Sequence, residues 1–157
     1  MKQFEQLVIA LCSLGGFSEP QRIMAGDALC YEGVNFAITI DPQSDIDALL
    51  LYADFGRLDL EKKAMLYPLM LKENFMMLES RNCTFAVSEM HDSVVLIERL
   101  ALSLATPQSL LAQMRAIAHK ANYVNKQQRR LHHAAFHENT LQATSLRSQL
   151  TLHHAAS

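Results

Sequence analysis

The chain is short of the residues from which catalytic and anchoring motifs are made. Glycine occurs five times in 157 residues, at positions 15, 16, 26, 33 and 56. None of these spacings gives the phosphate-cradling loop of a nucleotide site or the G-x-G-x-x-G turn of a dinucleotide fold. The three cysteines, Cys12, Cys30 and Cys83, are an odd number at unrelated spacings. They form no disulfide framework and read as reduced, buried thiols of a cytosolic protein. They also lack the basic neighbours that lower a thiol pKa, which argues against a Cys–His nucleophile. No apolar run approaches the length of a transmembrane helix. LVIALCSLGGF could pass for part of a signal peptide, but Glu5 and Gln6 interrupt its start and only Lys2 is basic. No small-x-small cleavage site follows, and the lipoprotein-like IALC has Leu11 where a small residue is needed. The expectation is a protein that is not an enzyme, holds no metal or other cofactor and does not insert into a membrane.

Half of the residues are hydrophobic and the mean hydropathy is +0.03. That is high for a soluble monomer and favours an oligomer or an apolar working face. Charge is segregated. Residues 1–114 hold 8 Lys+Arg against 15 Asp+Glu, a net of −7, whereas residues 115–157 hold 6 against the single Glu138, a net of +5. The latter stretch also carries His119, His132, His133, His137, His153 and His154. On a helix His133 and His137 would be one turn apart, but HHAAFHE is not a metalloprotease motif, and no core residue supplies a third ligand. The basic tail offers only Tyr123 and Phe136 for base stacking, in no recognisable module, so no nucleic-acid partner is expected.

Periodicity organises the rest. Phe4, Leu7, Val8, Leu11 and Leu14 form the apolar stripe of a first helix, about 2–14, stopped by Gly15-Gly16. Residues 15–33 read as a loop, with a helical turn after Glu19-Pro20. Val34, Phe36, Ile38 and Ile40 alternate with Asn35, Ala37, Thr39 and Asp41 in a strand over 34–41, and a second apolar strand covers 46–55 beyond the turn residues 41–44. A second long helix covers 59–79, capped by Asp59, with Pro68 predicting a kink or break near Tyr67. Strands at 83–89 and 93–101 flank a turn at Met90-His91-Asp92. Thr106-Pro107 opens a third long helix with the stripe Leu110, Met114, Ile117, Ala118 and Ala121, running to at least Asn125. The result is an α+β domain over 1–125, helix-strands-helix-strands-helix with a twisted antiparallel sheet, followed at 126–157 by a basic, His-rich tail that is either a helical extension or disordered.

Three segments, read in order, resemble a known family. Leu51-Tyr52-Ala53-Asp54-Phe55-Gly56 closes a strand, Leu66-Tyr67 with Glu73-Asn74-Phe75 marks a helix, and Arg99-Leu100-Ala101-Leu102 closes a hairpin. Together with the first helix and VNFAITID they resemble the type III secretion effector chaperones of the CesT (Tir-chaperone) kind over residues 2–124. Pro68, where that family has an uninterrupted helix, and the long tail depart from the pattern. The resemblance implies a homodimeric chaperone of the bacterial cytoplasm that works without ATP. It would hold the N-terminal region of one or more secreted effectors in extended form and help present it to the secretion ATPase. Phe4, Leu7, Val8, Leu11, Phe36, Ile38, Ile40, Leu49 and Leu51 are the candidate effector groove, and Met65, Leu69, Met70, Phe75, Met76 and Met77 the candidate dimer surface. Both sets equally suit plain core. Asp45, Asp47, Asp54, Asp59 and Glu61 read as a solvated face or as steering charge for a basic segment. The alternative is a dimeric adaptor that docks a folded partner rather than a chaperone.

Overall fold

The computed structural model describes residues 2–41, 47–77 and 83–122. Met1, residues 42–46, residues 78–82 and everything after 122 lie outside them, as do the expected turn residues 42–44, the expected helix ends near 79 and 125, the whole 126–157 tail and its histidines.

Helix α1 spans Lys2–Gly15. It ends where Gly16 enters the left-handed region, φ 70°, and Phe17 N–H donates back to the Cys12 carbonyl at 3.0 Å, the six-to-one bond of a Schellman stop. Phe4, Leu7, Val8, Leu11 and Cys12 are buried, whereas Leu14 is 48% exposed, so Cys12 closes the stripe in place of Leu14. A short helix α2, Pro20–Met24, starts on its proline. Strand β1, Leu29–Tyr31, lies within the expected 15–33 loop. It turns back through Glu32 and Gly33, both at positive φ, 48° and 80°, into β2, Val34–Ile40. A two-residue loop with two positive φ values suits the twist of a hairpin.

Strand β3, Ala48–Arg57, carries the apolar run. Helix α3, Leu60–Met77, begins at Asp59, whose Oδ1 accepts the Lys62 N–H at 2.9 Å. It continues unbroken through Pro68. The proline is exposed, so the Ala64 carbonyl that loses its helical donor can turn toward water. Strands β4, Cys83–Ser88, and β5, Ser93–Ala101, form the second hairpin. A single 3-10 turn, Leu102–Leu104, leads to α4, residues 107–122. Thr106 and Ser109 cap it reciprocally, each side-chain oxygen accepting the other's backbone N–H at 3.1 and 3.0 Å.

The five strands form one antiparallel sheet in the order β1-β2-β3-β5-β4. Its register places Leu29, Phe36, Ala53, Leu96 and Phe85 in one row across the sheet, and all five are buried. These rows, the α1 stripe and Leu110, Met114, Ile117, Ala118 and Ala121 of α4 make one hydrophobic cluster. The opposite face alternates as period two requires. Its central row is Ala37, Tyr52, Ile97 and Thr84, none of them buried. The run from Ala48 to Tyr52 is therefore split: Ala48, Leu49 and Leu51 are buried, and Leu50 and Tyr52 half-buried.

Candidate functional site

A sheet offers protein partners its two edges, and here the two differ. In an antiparallel ladder, alternate residues bond to one neighbour and then the other. The register, together with the Asp41 N–H bond to the Ala48 carbonyl at 2.8 Å, sets that alternation across all five strands. Along β4 it turns Thr84, Ala86 and Ser88 toward β5 and points the backbone groups of Phe85 and Val87 away from the sheet. Phe85 does not face solvent there. Asn74 of α3 donates Nδ2 to its carbonyl at 3.0 Å and accepts its N–H through Oδ1 at 2.7 Å. One side-chain amide thus takes the place of one residue of a sixth strand.

At the other edge, Leu29 and Tyr31 pair toward β2 and Cys30 turns its N–H and C=O outward. Beside this edge lies an open cleft of about 340 Å³, lined among others by Phe17, Glu19, Arg22, Ile23, Leu29 and Cys30. Arg22 spans it, bonded to Asp27 at 2.7 Å and Glu19 at 3.1 Å; those two acceptors push the guanidinium pKa further up. Cys30 is exposed and Cys83 half-buried, so of the three thiols expected to be buried only Cys12 is. Burial raises the pKa of the Cys12 thiol, which keeps it protonated.

Helix α3 is the third surface. None of its described side chains is buried. Leu66, Tyr67 and Met70 rest half-buried against the core, and Lys63 grips Asp92 in the β4–β5 turn at 2.6 and 2.8 Å. The hydrogen bond lowers the Asp92 pKa and raises that of Lys63. On the outer side Met65, Leu69, Leu71, Phe75 and Met76 are 49–72% exposed. A further apolar cleft of about 140 Å³ separates α3 from β4, lined by Tyr67, Met70, Leu71, Asn74, Phe85, Ala86 and Val87.

The residues singled out in the sequence fall on both sides of the surface. Phe4, Leu7, Val8, Leu11, Phe36, Ile38, Leu49 and Leu51 are at most 7% exposed, and Ile40 is half-buried. They form the interior, because the period-two and period-3.6 stripes that select them face one another across the core. In this conformation they give an effector no groove. The dimer set is different: Met65, Leu69, Phe75 and Met76 are exposed and Met70 half-buried. Of the acidic set, Asp54 accepts the Gly56 N–H at 2.8 Å and Asp59 caps α3, so both serve local structure; Asp45 and the Glu61 side chain lie outside the described residues. Among those residues no cluster of three His, Cys, Asp or Glu can hold a metal, and no helix is long and apolar enough to cross a membrane. His119 stands exposed, 3.8 Å from Glu32.

The sequence reading missed two features of the site. The Glu32-Gly33 turn, flanked by Leu29-Cys30-Tyr31 and Val34, was the available signal for β1. Nothing in the local sequence of Asn74 announced its bond to Phe85.

The model of the Tir chaperone protein (CesT) family matches residues 33–125. The chain belongs to this family, a family of type III secretion chaperones. Among curated proteins no sequence matches it. Of solved structures, a chain of the ExsC–ExsE complex superposes with a TM-score of 0.60 at 15% identity, covering 78% of this chain and 90% of that one. The Yersinia pestis type III secretion chaperone SycH, solved with a stable fragment of YscM2, gives 0.53 at 17% identity, covering 77% and 98%. At these identities the likeness is one of fold.

Proposed function

We propose that this protein is a homodimeric secretion chaperone of the bacterial cytoplasm that holds an extended segment of an effector along the β1 edge of its sheet. The observation that carries the reading is the asymmetry of the two edges. Asn74 occupies the middle of β4, while Cys30 turns its backbone groups outward beside a cleft. An extended chain added at β1 gains main-chain hydrogen bonds there, and its alternate side chains enter the cleft. Such a segment pays about 1–2 kcal/mol per residue in ordering, which apolar burial at about 25 cal/mol per Å² offsets over a long footprint. Neither contribution requires a nucleotide. The effector segment is its N-terminal chaperone-binding region, and the secretion ATPase is the later partner of the loaded chaperone. The exposed apolar side of α3 supports self-association.

Cys30→Pro tests the edge. Proline removes the outward N–H without touching the ladder to β2, so the fold should survive and capture of the co-purifying effector should fall. Hydrogen exchange on the wild-type complex is the companion measurement. Protection along one extended effector segment that is unprotected when free supports the chaperone reading. Protection confined to the compact surface of a folded partner would replace it with the adaptor reading.

A further inference from the structure

The β4 edge has what a strand-accepting edge needs: outward backbone groups at Phe85 and Val87, and an apolar cleft alongside. Val87 is itself 46% exposed, and Met90 in the following turn 87%. Such an edge templates pairing with another chain unless something blocks it. The usual blocks are charge, proline, a bulge, or a helix or loop laid over the edge. The β4–β5 register runs without a shift from Cys83 to Ser88, and the strand, CTFAVS, contains neither a charge nor a proline. Among the described residues, what stands in the way is α3, which meets the outward groups of the edge through Asn74. Its amide has the donor and acceptor geometry of one peptide group, and both bonds go to the same residue.

We propose that Asn74 is an edge plug: it satisfies Phe85 as a neighbouring strand would and so prevents the β4 strands of two copies of this chain from pairing. Asn74 then determines which edge of the sheet accepts a strand. Without it the β4 edge becomes self-complementary, since two antiparallel copies of β4 related by a twofold axis present the same outward groups to each other. The β4 edge adjoins the outer side of α3 at Leu71, which lines the cleft between them, but its outward backbone groups belong to the strand, so this association comes in addition to any dimer built on α3. The proposal deepens the strand-addition reading but is tested apart from it. Cys30→Pro probes β1 with Asn74 in place, and the Asn74 variants probe β4 with Cys30 in place.

The experiment compares wild type, Asn74→Ala, Asn74→Asp and each Asn74 variant combined with Val87→Pro, all as the full chain. Far-UV circular dichroism reads the fold, hydrogen exchange the Phe85 amide, and sedimentation velocity over a concentration series the association. In Asn74→Ala, Phe85 exchange at low concentration should rise about tenfold. Species larger than those of the wild type should appear as concentration increases. Val87→Pro deletes the outward donor next along the edge and should return the sedimentation profile to that of the wild type. Asn74→Asp keeps the acceptor but sets a charge against the Phe85 carbonyl, and should show the same association more weakly. If Asn74→Ala does not fold, Asn74→Asp carries the test on the same terms. Faster Phe85 exchange with an unchanged sedimentation profile would overturn the proposal and leave the contact as an anchor for α3. Added association that Val87→Pro does not reverse, or failure of both variants to fold, would overturn it as well.

Discussion

Leu51 and Tyr52 are neighbours on β3, and placing an aspartate at each in turn separates interior from surface. Leu51 is fully buried between Ile38 on β2 and Glu98 on β5. Removing its side chain costs about 2–5 kcal/mol. The new carboxyl, enclosed without a designed partner, adds about 2–4 kcal/mol even if it takes up a proton. It also stands directly across from Glu98, and like charges in that position repel. The total, about 4–9 kcal/mol, is on the scale of the whole stability of a domain, about 5–15 kcal/mol. Leu51→Asp should therefore be largely unfolded. Tyr52 points to the other face, half-buried between Ala37 and Ile97. Tyr52→Asp loses about 1 kcal/mol of partial burial and up to about 1 kcal/mol of strand preference, so it should fold and melt several degrees low. Thermal denaturation by circular dichroism reads both. A folded Leu51→Asp, or a Tyr52→Asp less stable than it, would refute the assignment of faces. The same result decides how lost effector capture in Leu51→Asp is to be understood: as unfolding, not as a damaged groove.

Leu69→Asp with Phe75→Asp, two exposed residues of α3, should give a folded monomer by light scattering; a dimer of unchanged affinity would remove α3 from the interface. The Lys63–Asp92 pair makes stability pH-dependent in a known direction. Its lowered Asp92 pKa contributes stability that is fully present above the ordinary carboxylate pKa and lost as pH falls through the lowered value. The raised Lys63 pKa contributes stability that is present below the ordinary lysine pKa and lost as pH rises through the raised one. Asp92→Asn should flatten the acid limb of a stability profile, and an unchanged profile would show the pair to be inert. Gly33 sits at φ 80° with open space around a would-be Cβ, so Gly33→Ala should cost about 1–2 kcal/mol by backbone strain alone; a stability equal to wild type would refute the turn geometry. Ser93 Oγ is buried without a hydrogen-bond partner among the described residues. Ser93→Ala should be neutral or stabilising by up to about 1 kcal/mol, and a loss above that would reveal a partner for the hydroxyl.

Most of the fold was legible because its stripes are strong. The period-two row of β2, the apolar run of β3 and the stripes of α1 and α4 each contribute to a common core, so these elements could be read from the sequence. Strand β1 was not legible: three residues carry too little alternation, and only its turn marks it. A kink or break was expected near Tyr67, and the helix is continuous through Pro68: on the exposed side, the carbonyl that loses its helical donor can turn toward water. The candidate groove residues lie in the interior for a physical reason. A hydrophobic stripe reports that a face is covered, not what covers it, and here α1 and the sheet are in the same buried cluster. The exposed apolar residues of α3 lack a clean stripe because they share the helix with a second, half-buried side.

The way α3 is held bears on how the protein assembles. A helix of 18 residues normally keeps its place by burying one side, yet here no described side chain is buried. What holds it are half-buried contacts through Leu66, Tyr67 and Met70, and polar links at intervals along its length. Lys63 to Asp92 lies near its start, and Glu73 to Lys120 of α4 and Asn74 to Phe85 near its end. Lys120 also stands over the Phe85 ring, 5.3 Å from its centroid, so α3 and α4 both meet the sheet at Phe85. Exposed ion pairs are individually weak, and the outer apolar residues contribute only when something covers them. Were a second copy to cover Leu69 and Phe75, as the proposed dimer requires, the same helix that carries Asn74 to the β4 edge would be held in place. Association through α3 would thus strengthen the closure of β4 and leave β1 as the edge open to an extended chain.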